Sequence, residues 1–220
     1  MRYITLSAIV LASGVAHAGV SPFTETFETG ANGWIQGGFT APTHNASGAL
    51  DGSAFISSSA DLNSAGPFGL TVFRGQDDFD ASGDAFVGNY LTSGINRLSF
   101  DLRHNAGIDL GIALRVATSQ NFPAFAVELP GPVASDEWVT LSFDLDFFNP
   151  LVTIEGAPTP QAFNEIMAAI GNLQVSVDRP DGLDTPLVVD FDLDNVSITP
   201  APGSLALLGL GGLAATRRRR

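Results

Sequence analysis

The sequence predicts an all-β fold, an antiparallel β-sandwich with one short helix, and three observations predict it. Several segments alternate apolar and polar residues at a period of two, the mark of a strand with one face on a core and one in water. Clusters of Gly, Pro, Asn and Asp separate these segments at short intervals, so the strands are many and their turns tight. One stretch alone carries clear helical periodicity, and one helix among about ten strands suits a sandwich better than a layered α/β fold.

The alternating segments run as follows. In Arg97–Arg103 the residues Leu98, Phe100 and Leu102 oppose Ser99, Asp101 and the flanking arginines. Val139, Leu141, Phe143 and Leu145 oppose Thr140, Ser142, Asp144 and Asp146. Leu173, Val175 and Val177 oppose Gln174, Ser176 and Asp178. The last strand sets Val189, Phe191, Leu193 and Val196 against Asp190, Asp192 and Asp194, with a break of phase at Asn195. The helix is predicted from Thr159-Pro160 as cap and first turn, through the stripe Phe163, Ile166, Met167 and Ile170, to a stop at Gly171.

The two ends read as addresses. Arg2, the apolar run Ile4 to Val15 and the small-x-small site Ala16-His17-Ala18 have the order of a secretory signal peptide cleaved after Ala18. The apolar part is too short to span about 30 Å of hydrocarbon comfortably. At the other end, Pro200-Ala201-Pro202-Gly203 precedes an apolar run from Leu205 to Ala215 and the cluster Arg217, Arg218, Arg219 and Arg220. This order resembles the PEP-CTERM sorting signal, with Ala201 where the usual motif has Glu. The resemblance implies an exosortase-like processing protease as partner and a C-terminal hydrophobic sorting helix that anchors the chain in the membrane transiently. Arginine clusters stay on the cytoplasmic side, which would leave the body outside. The expected division is a signal peptide at 1–18, a β-sandwich domain at 19–199 and the sorting segment at 200–220.

Between the ends lie all 23 acidic residues against five basic ones, Arg74, Arg97, Arg103, Arg115 and Arg179, which leaves a charge near −18 and no lysine. Such a surface repels nucleic acid and anionic membranes. There is no cysteine, so neither a disulfide framework nor thiol chemistry is available. His44 and His104 are the only histidines beyond the signal peptide, and no Cys/His set has zinc spacing. A Gly-rich phosphate loop, a Gly-x-Ser-x-Gly elbow and a His-Glu-x-x-His pair are all missing from the sequence.

Phe27-Glu28-Thr29-Gly30 with Gly33-Trp34, Phe86–Tyr90 leading into Leu98–Asp101, and Asp192–Val196 together resemble the opening, middle and closing segments of jelly-roll domains in extracellular carbohydrate-binding modules and laminin-B-like modules. The resemblance implies a jelly-roll-like sandwich with a structural calcium between the opening Glu and the closing Asp, here Glu28 and Asp194. A solvated strand face explains these two carboxylates as well. In the acidic loop, Asp78, Asp80, Ser82 and Gly83 match the first half of a calcium loop, but Asn89 stands where a bidentate Glu would close it. The other reading there is a solvated turn. Asp190, Asp192 and Asp194 share one strand face, where like charges repel unless a cation or an arginine lies between them.

Sugar binding needs exposed rings beside polar side chains. Trp34, Phe39, Tyr90 and Trp138 are the candidates, with Trp34 and Tyr90 as the possible platform, packing in the core as the commoner fate of such rings, and Trp138 expected in the core. For a hydrolase, Glu128, between apolar neighbours, is the acid to inspect. The expected function is that of a non-enzymatic, exported cell-surface or matrix protein with a structural or adhesive role. The alternatives are a calcium-stabilised module that binds extracellular polysaccharide and, third, a glycan-active hydrolase.

Overall fold

A computed structural model describes residues 20–66 and 69–200. Ala16, Ala18, Pro202 and Arg217, Arg218, Arg219 and Arg220, which carry the signal and sorting expectations, lie outside the described residues. No described helix is long and apolar enough to cross a membrane.

Eleven strands form two antiparallel sheets among the described residues. In the first sheet β2 (Thr43–Asn45) pairs with β3 (Phe55–Asp61), β3 with β11 (Val188–Pro200), β11 with β5 (Ile95–His104), and β5 with β8 (Val139–Asp144). The short β1 (Phe23–Glu25) also pairs with β11. In the second sheet the order is β4 (Leu70–Gln76), β10 (Ile170–Val177), β6 (Ile112–Thr118), β7 (Ala124–Glu128) and β9 (Val152–Glu155). Neighbours in space are mostly distant in sequence, so strand order could not be inferred from turn lengths.

The predicted alternation is what the strands use. Leu98, Phe100, Leu102, Leu141, Phe143, Phe191 and Leu193 of the first sheet meet Leu114, Val116, Phe125, Val127, Leu173 and Val175 of the second in one contiguous core. The phase break at Asn195 is a β-bulge: the pairing of β11 with β5 shifts between Asp194 and Ser197, and Asn195 holds a left-handed φ of 51°. The bulge also divides β11 between two neighbours on one side. β3 pairs with Val188–Leu193, while β1 pairs with Val196–Ile198. Pro200 closes β11 opposite Ile95 and so belongs to the last strand.

Two α-helices are present among the described residues. α2 (Pro160–Met167) starts as expected, with the Thr159 hydroxyl accepting the Ala162 N–H at 3.1 Å and Pro160 in the first turn. Phe163, Ile166 and Met167 are buried, and Phe163 packs on Phe125 at 4.8 Å between centroids. The predicted stop at Gly171 is corrected: the helix ends before Ala168, and Ile170 and Gly171 open β10. Gly171 is required there by close approach. A Cβ at this position would lie 2.6 Å from the Ser119 backbone. The second helix, α1 (Tyr90–Ser93), is a single turn between Phe86–Asn89 and β5, capped by Asn89 and ended by Gly94 at φ 67°.

Candidate functional site

Trp34 and Tyr90, the possible platform, are in the core. Trp34 is 1% exposed, with its ring edge-on to Phe27 and Phe86 and its Nε1–H donated to Ser82 Oγ at 2.9 Å. Tyr90 is fully buried and donates to the Phe86 carbonyl at 2.9 Å, and burial pushes its phenol far up. Neither ring is displayed to solvent, and the Trp34 indole lies against β4 at Gly75, where a Cβ would come within 2.8 Å of it. Trp138 is corrected in the other direction. It precedes β8, is half-buried, and stands 4.9 Å from the Arg103 guanidinium with Phe55 edge-on at 5.5 Å. Arg103 is ion-paired to Asp192 at 2.7 Å, which explains how the carboxylate ladder of β11 is tolerated.

The acidic loop does not assemble as its spacing suggested. Asp77–Phe79 and Ala81–Asp84 are short 3-10 turns, and Asp78 and Asp80 are exposed. Ser82 Oγ is turned inward to the Trp34 indole, and Asn89 caps α1 instead of closing the loop. The acids that influence one another are Asp77, Asp80 and Asp84, whose carboxyl is raised by partial burial and by the other two charges.

Glu28 and Asp194 do occupy one corner, where β1 gives way to β3 along β11. Asp194 is fully buried. Its Oδ2 accepts the Ser53 hydroxyl at 2.9 Å, while Oδ1 has no hydrogen-bond partner. Burial pushes its carboxyl up to about 6; the Asn195 N–H and Ser53 oppose this, and Asp51 and Asp101 add to it. Glu28 Oε1 meets the Ala54 N–H at 3.4 Å, one residue along. Sequence reasoning missed Asp51, which shares Ser53 with Asp194 and whose carboxyl is lowered by the Ser53 hydroxyl and N–H. The orphaned Oδ1 and the surrounding carboxylate and hydroxyl oxygens suit a hard cation. No three His, Cys, Asp or Glu side chains converge as a metal group among the described residues, so carboxylates alone would not complete such a shell.

Glu128 is exposed at the end of β7. With Asp144, Asp146 and Phe148 it borders a cleft of about 440 Å³ between β7 and β8. Asp144 is bound to Arg97 at 2.8 Å.

The most organised polar surface is the outer face of the second sheet. β4, β10 and β6 bring Arg74, Gln174 and Arg115 into one cross-strand row, with Gln174 between the two guanidinium groups. One row along, Gln76 stands opposite Asn172, and on the other side Thr71 stands opposite Ser176. Outward polar residues on a sheet are ordinarily solvated, yet Gln174 is 3%, Asn172 1%, Ser176 7% and Gln76 7% exposed. The end of β6 and the loop after it fix two of them. Asn121 Oδ1 accepts from Gln174 at 2.7 Å and from Arg115 at 2.8 Å, and the Thr118 carbonyl accepts from Asn172 at 2.6 Å. Arg115 also holds Glu155 through two guanidinium nitrogens. Gln76 Oε1 and Asn172 Oδ1 are buried acceptors with no donor.

Two exposed rings flank this face. Phe39, 63% exposed, lies 5.4 Å from the Arg74 guanidinium and stacks on Phe79. It occupies a left-handed φ of 60°, a conformation that costs a bulky residue about 1 kcal/mol or more and is held by the Gln36–Thr40 turn. Phe122, 59% exposed, lies in the same loop as Asn121. Across three strands the floor between the rims is about 10 Å wide. The sequence carried one signal for this face: Arg74 and Arg115 are two of only five basic residues in the body.

No protein-family profile matches the sequence, and no curated protein matches it. Among solved structures the chain is similar to the CBM22-1-GH10 modules of Clostridium thermocellum endo-1,4-β-D-xylanase 10B complexed with xylohexaose, with 17% identity and a TM-score of 0.48. That match covers 80% of this chain and 28% of the other, so the chain spans under a third of that structure's length. It is also similar to the C-terminal family 22 carbohydrate-binding module of the same xylanase, with 14% identity, 82% of this chain and 94% of that one covered, and a TM-score of 0.44. The L4b domain of human laminin alpha-2 matches with 10% identity over 59% of this chain and 78% of its own, at a TM-score of 0.40. At such identities and scores, no ligand passes from these structures to this chain.

Proposed function

We propose that the protein is a glycan-binding β-sandwich whose site is the outer face of its second sheet. One observation carries this reading: four polar side chains are buried on a face where a sheet normally meets water, and two of them, Gln174 and Asn172, are held by Asn121 and Thr118 near exposed Phe39 and Phe122. Amides, hydroxyls and guanidiniums fixed in place suit hydroxyl-rich ligands, and rings at the rim suit the apolar faces of sugars. Binding is favoured over hydrolysis. Glu155, the carboxylate at this face, is engaged on both oxygens by Arg115 and so is not free to face a substrate.

Calcium belongs to the proposal as a structural ion. Asp194 and Asp51, with Ser53 between them and Glu28 at the same corner, are the residues that would hold it, tying β11 to the turn before β3. The terminal segments support export, transient anchoring by the C-terminal helix and processing by an exosortase-like protease. Together these features describe an adhesive protein of the cell surface or extracellular matrix.

Affinity electrophoresis of the purified protein through gels containing a panel of plant, algal and bacterial polysaccharides tests the binding claim. Retardation by at least one polymer, relieved in Gln174→Leu without loss of the folded state, is the expected result. Equal mobility in every gel would overturn it.

A further inference from the structure

Among the described residues, Arg74 is the one arginine of the two sheets without an ion pair. Arg97, Arg103 and Arg115 are each ion-paired, to Asp144, Asp192 and Glu155. Arg74, in contrast, is half-buried and makes no ion pair with a described carboxylate, although the protein carries 23 acidic residues. Burial pushes its guanidinium down, and the charge of Arg115, on the far side of Gln174, adds to this. Burying one cation beside another, in an acid-rich protein, leaves a fixed positive site with unfilled donors. Its side-chain contact is the Phe39 ring, which positions a guanidinium while leaving its N–H edges free.

Resting on the glycan reading, we infer that the site takes a sugar bearing a carboxylate, a uronate, with Arg74 as the group that recognises it. The planar fork of a guanidinium matches a carboxylate through two parallel hydrogen bonds. Phe39 beside Arg74 would contact the ring of the same residue, while Gln174, directly opposite Arg74 and buried, holds the floor beneath it. The surrounding negative charge matters for the kind of chain. A densely charged polyanion is repelled by the body as a whole, whereas one carboxylate on a mostly neutral glycan feels chiefly what lies within a Debye length of about 8 Å. The ligand class is therefore a glycan with isolated uronate residues.

The test uses four methyl glycosides, the glucoside and glucuronoside and the galactoside and galacturonoside, titrated into the full chain while the arginine Nε–Hε resonances are followed by NMR. Within each pair the ring is the same and only the carboxylate differs. At least one uronoside should shift the Arg74 resonance and bind about tenfold more tightly than its neutral partner. That advantage should vanish in Arg74→Gln, persist in part in Arg74→Lys, and remain intact in Arg97→Gln, which alters an exposed ion pair on the other sheet. Equal binding of the neutral glycosides would overturn the inference and leave the glycan reading standing. A uronate preference that survives Arg74→Gln would also overturn it, since the recognising charge would lie elsewhere. If no glycoside and no polysaccharide of the electrophoresis panel binds, both readings fall.

Discussion

Asp194 and Asp51 share a single hydroxyl. The Ser53 Oγ lies 2.9 Å from Asp194 Oδ2 and also contacts Asp51 Oδ1. A serine has one proton to give, so one of these two contacts sets oxygen against carboxylate unless a proton or a cation intervenes. The other Asp194 oxygen is buried without a partner.

A pH dependence with a definite sign follows. The Asp194 carboxyl lies near 6 when folded, against 3.8 for the ordinary group, so the folded state holds this proton more tightly than the unfolded chain does. Its contribution is therefore favourable at low pH and is lost as pH rises from about 4 through about 6, amounting to at most about 3 kcal/mol. In chelator, the melting temperature should fall over this interval, and Asp194→Asn should melt higher than the parent at pH 8. Melting curves from pH 4 to 8 decide it; a parent that gains stability across the whole range would refute the assignment.

Calcium should cancel the same penalty. Added to the parent at pH 8, it should raise the melting temperature by several degrees at concentrations well above its dissociation constant. In Asp194→Asn the rise should be small. Calorimetric titration against chelator-treated protein gives the stoichiometry, and a flat trace with unchanged melting would remove calcium from the account.

Gly171 separates the helix that the sequence suggested from the strand that the structure contains. As a left-handed residue closing a helix, a change to Ala would cost about 1 kcal/mol. As a β10 residue against the Ser119 backbone, it would force two strands apart, at about 3 kcal/mol. Denaturant unfolding of Gly171→Ala distinguishes the two values.

The strands were legible because period-two alternation is a local record of which side faces the core, as in Leu98–Phe100–Leu102 and Leu173–Val175–Val177. The bulge at Asn195 was legible for the same reason, since an extra residue shifts that period. Gly171 was not, because apolar Ile166, Met167 and Ile170 continue one stripe across a helix-to-strand junction. The glycan face was not legible either. Arg74, Gln174 and Arg115 come from β4, β10 and β6, whose adjacency depends on long crossovers that leave no local trace. Trp34 and Tyr90 drew attention as large rings, yet ring size says nothing about display: Tyr90 is fully buried, while Phe39, in a turn, is exposed.

Tryptophan emission can discriminate the two sheet faces. Trp34 is sealed in the core, and Trp138 is half-buried over Arg103 on the first sheet. Acrylamide should quench one component, which Trp138→Phe removes. A glycan on the second sheet should leave both emissions unchanged. A ligand-induced shift abolished by Trp138→Phe would move the site to the Trp138–Arg103 face instead.

Phe39 joins strain to exposure, and the two can be tested together. Its left-handed φ of 60° is a conformation that glycine adopts without cost. Its ring, 63% exposed, loses little by leaving a core to which it barely belongs. Phe39→Gly should therefore melt no lower than the parent, because relief of about 1 kcal/mol of backbone strain offsets the added freedom of the unfolded chain. Glycan binding should weaken about tenfold, the loss expected for one stacking ring and the cation–π contact that positions Arg74. Phe39→Ala should lose binding equally while retaining the strain, so it should be no more stable than the glycine variant. Melting and affinity electrophoresis on the two variants supply the comparison. Binding retained in both would mean that the ring is displayed for something other than the sugar, and a marked fall in melting temperature for Phe39→Gly would mean that the turn depends on the ring it exposes.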